Sequence, residues 1–126
     1  MIFGNNVVLV GNLTSDPELQ FTTSGKTYGK CSLAINERSK DADGEQKDRA
    51  HFYDVTCWAP LAENIAASLH KGDRVIVTGA LEYSSWEAQD GTKRSKLSIR
   101  ADSIGPDLRW ATCTIEKTSF GPPEPE

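Results

Sequence analysis

Alternation of apolar and polar side chains with a two-residue period recurs in four segments of the chain, and it restricts the fold more than any other feature. A fifth segment, near the start, is apolar almost throughout. Both patterns indicate strands, because successive side chains of a strand point to opposite faces of a sheet. The five predicted strands are 6–13, 28–36, 51–58, 73–83 and 94–104.

One segment breaks this period and predicts the single helix, 59–72. Pro60 suits a first helical turn, and Leu61, Ile65 and Leu69 recur every four residues as one apolar stripe. Five strands with one helix between the third and the fourth is the order of the OB-fold, a five-stranded Greek-key barrel. The fold class is therefore all-β. Periodicity alone supports a small β-barrel more firmly than it supports this exact topology.

The remaining segments divide the chain into one domain and a short extension. Residues 37–49 are charged and predict a long solvated hairpin between the second and third strands, and Pro17 bends the chain after the first. We expect the OB-fold domain to span 1–105, one extra C-terminal strand to lie within 106–120, and 121–126 to begin a disordered tail.

Composition excludes several classes of function. A chain of 126 residues with a net charge of −4 fits one domain and argues against a generic polyanion binder, unless its positive charge is local. Its three cysteines lack metal-site spacing, and neither a secretory signal nor a membrane span is present, so we expect a cytoplasmic protein. His51 and His70 have no recognisable nucleophile, and 41–45 resembles a turn more than a calcium loop. We expect no catalytic residue, metal or cofactor.

Large aromatic side chains occur in the strand phase that otherwise carries polar residues, and basic residues occupy the same phase of the fifth strand. Rings interleaved with cations suit single-stranded nucleic acid, whose bases stack on the rings while Lys and Arg follow the phosphates. Two alternatives stay open: the rings could pack against an oligomeric partner, and the basic row could be an ordinary solvated face. The residues concerned are Phe52, Trp58, Trp86, Arg94, Lys96 and Arg100.

Over about residues 5–105, the chain resembles bacterial single-stranded DNA-binding proteins. The resemblance is carried by "VVLVGNLTSDPELQFTTSGK", "FYDVTCWAPLAENIAASLHKGDRVIVTGALEYSSWEAQDG" and "ADSIGPDLRWAT". It implies an OB-fold homo-tetramer that wraps single-stranded DNA without sequence preference or cofactor, in replication, recombination and repair at the nucleoid. It also implies stacking by the three aromatics named above, and phosphate contacts by Lys47, Lys71 and Arg94.

The sequence departs from the family pattern at two places. Arg38 stands where many relatives carry a tryptophan, so a guanidinium would replace one stacking ring. The family usually ends in an acidic, apolar tip that recruits repair and replication proteins, whereas this sequence stops at "PPEPE". Either the tail continues beyond this sequence or this is a paralogue without that function, so such partners are expected only if an acidic tail exists beyond this chain. The alternatives are an accessory protein of replication restart on the same barrel, and an OB-fold nuclease, which would need clustered carboxylates around a metal.

The C-terminal strand predicted within 106–120 has no obvious partner within its own barrel, and 109–118 is the part expected to pair. An unpaired strand invites another chain, and some relatives use such a strand to clamp subunits. We therefore expect it to pair with a neighbouring subunit, with an inter-subunit disulfide between two copies of Cys113 as one hypothesis. Cys31 and Cys57 have inward parity and are expected to be buried thiols.

Overall fold

The structure is a computed structural model and describes residues 4–118. Six strands and one helix follow one another along the chain. They are β1 (Val7–Leu13), β2 (Glu18–Phe21), β3 (Thr27–Lys40), β4 (Gln46–Trp58), α1 (Leu61–Ser68), β5 (Arg74–Glu87) and β6 (Lys93–Pro106). No helix among residues 4–118 is both long and apolar enough to cross a bilayer.

Five of the strands close into a barrel. The sheet order is β1-β5-β6-β4-β3-β2, and an additional pairing of β1 with β3, through Asn12↔Ala34 and Leu13↔Leu33, completes the ring. All pairings are antiparallel except that of β4 with β6. The prediction of an OB-fold barrel with one helix is confirmed.

The inward phases of the strands form the core, as their alternation predicts. Leu33, Val55, Val75 and Val77 are at most 1% exposed. The buried Cys57 lies beside Gly29, where a Cβ would come within 3.1 Å of the Cβ of Ala62 on the helix and 3.2 Å of the Cys57 Sγ. The absence of a side chain at this position therefore lets α1 pack directly against the barrel.

The helix is shorter than the predicted 59–72. It ends at Ser68 because Leu69 takes extended backbone angles, although its N–H still bonds to the Ile65 carbonyl. Leu69 remains buried, so the apolar stripe is correct even where the helical conformation is not. The turn that follows contains Gly72 at φ +91°, a left-handed conformation that glycine adopts without steric cost.

The extra strand of the structure is β2, not a C-terminal one. Pro17 does bend the chain, but the four residues after it pair with the edge of β3, as in Glu18↔Lys30. Residues 111–118 form no regular secondary structure in the single chain. They line a groove together with the end of α1 and the start of β5. None of them takes part in a strand pairing of the described chain. The predicted tail 121–126 and the last two residues of the predicted C-terminal strand, 119 and 120, lie outside the described residues.

The charged segment 37–49 is a continuation of β3 and β4 as a hairpin. Its ladder runs without interruption to Lys40↔Gln46. At the tip, one carboxylate oxygen of Asp41 accepts the backbone N–H groups of Asp43 and Glu45, at 3.0 and 2.9 Å. The prediction that 41–45 is a turn is confirmed, and the Asp41 carboxylate stabilises this turn through hydrogen bonds to backbone N–H groups.

Candidate nucleic-acid interface

The even-numbered residues of β3, β4, β5 and β6 project from one continuous face of the barrel, here called the outer face. Residues that are directly opposite in a sheet project to the same side. The register gives Lys30↔Thr56, then Thr56↔Arg100, then Arg100↔Ala80, and so connects all four strands. The outer face therefore includes the even positions 28–40 of β3, 46–58 of β4, 80–86 of β5 and 94–100 of β6.

The three predicted aromatic side chains all lie on the outer face and all remain exposed. Phe52 is 68% exposed and lies opposite the small Ala34, while Trp58 is 47% exposed. Opposite Trp58 lies Tyr28, with a ring-centroid distance of 5.8 Å and an interplanar angle of 53°. The Tyr28 hydroxyl donates a hydrogen bond to the side chain of Gln20. This network fixes one edge of a ring surface on which a base could stack.

Trp86 occupies the far end of the β5–β6 hairpin, directly opposite Arg94. It is 47% exposed, and both residues line a shallow hollow of about 540 Å³ together with Gln89 and Asp90. Among residues 4–118, Arg94 has no carboxylate within ion-pair distance. A ring and an uncompensated guanidinium side by side can contact a base and its phosphate together.

The odd-numbered side chains of the β5–β6 hairpin are more exposed than the alternation predicts. The alternation suggests that the odd phase is buried up to Tyr83, yet Leu81 is 41% exposed, Tyr83 70% and Leu97 57%. The physical reason is that β5 and β6 extend beyond the part of the barrel that has a covered interior. Both sides of the extension are therefore open in the single chain, and the placement of Trp86 rests on its strand register with Arg94.

Three of the predicted cations form ion pairs on the outer face itself. Lys96 Nζ lies 2.7 Å from the Asp54 carboxylate, and Arg100 Nη1 lies 3.1 Å from that of Glu82. Arg38 Nε lies 3.6 Å from the carboxylate of its cross-strand neighbour Asp48, with both side chains at least 70% exposed. The row of positive charge that the sequence predicts is therefore largely matched by carboxylates from neighbouring strands.

Two predicted cations do not join this set. Lys47 pairs with Ser39 in the ladder, which places it on the opposite side of the hairpin, and its Nζ lies 3.7 Å from Asp41. Lys71 lies in the turn between α1 and β5, at the opposite end of β5 from Trp86, and its backbone N–H donates to Asp16 at 2.7 Å. Neither position extends the outer face.

Sequence reasoning missed two residues of the outer face, Tyr28 and Lys30. Lys30 is exposed and lies between Glu18 and Thr56 in the register, with no ion pair within the described part of the chain. Both could have been found from the strand phase, because Cys31 and Leu33 of the same strand point inward and even-numbered residues therefore point outward.

Cys31 and Cys57 are buried, as predicted, and Cys113 is exposed in the single chain. Burial raises the pKa of the Cys31 thiol to about 12, with a contribution from the neighbouring Cys57, whose own pKa burial raises to about 11. Both thiols therefore stay protonated near neutral pH and are poor nucleophiles. Among residues 4–118, no group of His, Cys, Asp and Glu side chains could hold a metal ion.

A polar cluster joins the C-terminal segment to the barrel. Arg74 donates from Nε to the Asp107 carboxylate at 2.9 Å, and this hydrogen bond is the main cause of a lowered Asp107 pKa. The guanidinium carbons of Arg74 and Arg109 lie 5.0 and 4.9 Å from the ring centroid of Trp110. Trp110, the third tryptophan, is thus held away from the outer face although it is 71% exposed.

The barrel topology, with its single helix and open aromatic face, defines an OB-fold protein, a class whose members bind oligonucleotides or oligosaccharides. The family model described as "Single-strand binding protein family" matches residues 4–107. This chain belongs to that family.

Named relatives agree with the family assignment. The single-stranded DNA-binding protein of Mycolicibacterium smegmatis is 45% identical over 115 residues, which are 90% of this chain and 70% of that protein. The single-stranded DNA-binding protein of Corynebacterium glutamicum is 42% identical over 118 residues, 92% of this chain and 52% of that protein.

A solved structure shares the fold. It is the crystal structure of a deletion mutant of the single-stranded DNA binding protein from Thermus aquaticus, with a TM-score of 0.73 and 31% sequence identity. The similarity covers 83% of this chain and 51% of that one, so it spans about half of the deletion mutant's chain.

Proposed function

We propose that this protein binds single-stranded DNA without sequence preference, with its outer face as the contact surface. The observation that carries the proposal is the exposure of Phe52, Trp58 and Trp86 on one continuous face. Every base has a π-face, so stacking on such rings is tolerant of sequence and contributes ~1–3 kcal/mol per base. The names of the relatives support the same ligand.

Phosphate contacts come chiefly from cations that form no ion pair with a carboxylate of residues 4–118. Arg94 beside Trp86, and Lys30 beside Thr56, meet this condition on the outer face. We infer that they follow the DNA backbone while the rings hold the bases. Coverage of exposed single strands by this mechanism would protect them during replication, recombination and repair.

The test is a binding titration with three labelled ligands of equal length: oligo(dT), a mixed-sequence single strand and a duplex. We expect the two single strands to bind with similar affinity and the duplex to bind far more weakly, because paired bases cannot reach the rings. A preference for the duplex, or binding of only one of the two single-stranded sequences, would contradict the proposal. Inclusion of Mg²⁺ also tests for cleavage, which we expect to be absent.

We further propose that the chain functions as a homo-tetramer in which residues 109–118 pair with a neighbouring subunit. Three apolar side chains of the C-terminal segment are unprotected in the single chain: Leu108 is 56% exposed, Trp110 71% and Ile115 80%. A second chain would cover them and supply the missing ladder partner. Deletion of 109–118 should lower the melting temperature and the mass measured by light scattering, whereas unchanged values would argue against the clamp.

Cys113 is the accessible thiol of the described chain and lies near the middle of that segment. If two segments run antiparallel about a twofold axis, two copies of Cys113 would meet. A low-molecular-weight disulfide could then oxidise them to an inter-subunit disulfide, releasing two equivalents of its own thiol. Non-reducing electrophoresis of the native protein and of Cys113→Ser is decisive: the hypothesis requires a covalent dimer that the substitution abolishes.

A further inference from the structure

The outer face carries carboxylates at positions where a polyanion must approach. Asp54 belongs to β4 and Glu82 to β5, and both lie in the same strand phase as the exposed rings. Within residues 4–118, the side chain of Asp54 has one polar partner, Lys96, and that of Glu82 has one, Arg100. Neither carboxylate caps the helix or holds a turn. Their contacts therefore point to a role on the face itself.

In each ion pair, a protein carboxylate contacts the cation that a DNA phosphate would otherwise contact. Lys96 Nζ and an Asp54 oxygen are 2.7 Å apart, a close ion pair, and Arg100 Nη1 donates a charge-assisted hydrogen bond to Glu82 at 3.1 Å. A phosphate oxygen presents the same charge and the same acceptor geometry as a carboxylate oxygen. The four side chains are 33–45% exposed, so solvent and ligand can reach the pairs.

We propose that Asp54 and Glu82 act as built-in competitors of the DNA phosphates for Lys96 and Arg100. The inference rests on the proposed function of the same face. A phosphate must displace a carboxylate to reach either cation, and the displaced carboxylate then stays within the contact surface and repels the backbone. Binding depends mainly on base stacking, and only unmatched cations such as Arg94 neutralise phosphates.

This competition has a consequence for salt dependence. A cation already neutralised by a protein carboxylate releases no counterion from the DNA, so it does not contribute to the slope of log affinity against log salt. Freeing one cation should steepen that slope by about 0.7 for a single strand. The carboxylates thus set both the affinity and its sensitivity to ionic strength.

The test compares Asp54→Asn and Glu82→Gln with the wild-type chain in titrations of oligo(dT) at several salt concentrations. Both substitutions are nearly isosteric, and thermal melting of each variant establishes that it folds. We expect each variant to bind several-fold more tightly at low salt, with a slope steeper by about 0.7. Glu63→Gln, which removes the same charge from α1 outside the outer face, is the matched control and should change neither quantity appreciably.

Two further arms identify the cause. The gain in Asp54→Asn should disappear when Lys96 is also replaced by Gln, because no freed cation remains. It should also disappear when the probe is a thymine strand with an uncharged peptide backbone, which retains the bases but has no phosphates. Weaker or unchanged oligo(dT) binding in both single variants would overturn the competition while leaving wild-type binding intact. If wild type and variants all leave oligo(dT) unbound at low salt, the proposed function fails as well.

Discussion

Replacement of Trp86 by Ala should weaken binding of single-stranded DNA by roughly tenfold. Trp86 is 47% exposed. A tryptophan of up to ~250 Å² therefore leaves about 120 Å² for a ligand, worth ~3 kcal/mol if fully covered at ~25 cal/mol per Å². A base covers one face of the ring, so we expect about half of this value, or roughly a tenfold loss of affinity. The other half of the ring is already buried in the single chain, so the substitution also lowers the free energy of unfolding, and affinity is measured at a temperature where thermal melting shows the variant to be folded.

The assay is fluorescence anisotropy of a labelled oligo(dT) of about 12 nucleotides, a length within the ~4–16 nucleotides that one OB-fold covers. Trp110→Ala provides the matched control, because it removes an equally large and more exposed ring from the C-terminal segment. We expect its affinity for this short strand to match that of the wild type. Equal losses in both variants would mean that the effect is not local to the outer face, and no loss in Trp86→Ala would refute the stacking argument.

Three further predictions concern charge and close packing. Arg94→Ala should reduce the slope of log affinity against log salt by about 0.7, as measured by titration at several salt concentrations; an unchanged slope would place the phosphate contacts elsewhere. The hydrogen bond from Arg74 lowers the Asp107 pKa below its ordinary value of 3.8. The ionised Asp107 therefore stabilises the folded state fully above pH 3.8, and this contribution is lost as the pH falls through the lowered pKa. Asp107→Asn should therefore flatten the acid limb of the melting temperature against pH, whereas parallel wild-type and variant curves would contradict this role. Finally, a Cβ on Gly79 would lie 2.0 Å from the Arg100 carbonyl oxygen, so Gly79→Ala should lower the free energy of unfolding by about 1–3 kcal/mol in chemical denaturation; an unchanged midpoint would show that the strands separate freely there.

The barrel and the outer phase of its strands could be predicted from sequence because they depend on local alternation. Val75 and Val77 share a phase, and both are buried as that phase predicts. The strand β2 escaped prediction because four residues are too few for a period to be recognised, and its pairing depends on the distant edge of β3. The helix was extended too far because Leu69 continues the apolar stripe after the backbone has left the helical conformation.

The candidate site was predictable in its ring positions but not in its electrostatics. Parity within β4 places Phe52 and Trp58 outside, and the structure agrees. Whether Lys96 is a free cation depends on the register between β4 and β6, which brings Asp54 within 2.7 Å of it. That register is set by barrel closure, a non-local property. Lys47 was misplaced for a different reason: β4 begins at Gln46, earlier than predicted, and its strand phase places Lys47 on the side opposite to Phe52.

Intrinsic tryptophan fluorescence directly measures whether unpaired bases stack on the exposed rings of the outer face. The measurement is a titration of the Trp110→Phe variant, whose remaining tryptophans are Trp58 and Trp86, with oligo(dT) and with a duplex of equal length. Stacking on these rings should produce strong, saturable quenching by the single strand and little by the duplex at the same concentrations. Binding of oligo(dT) detected by anisotropy without any quenching of these two tryptophans would contradict it.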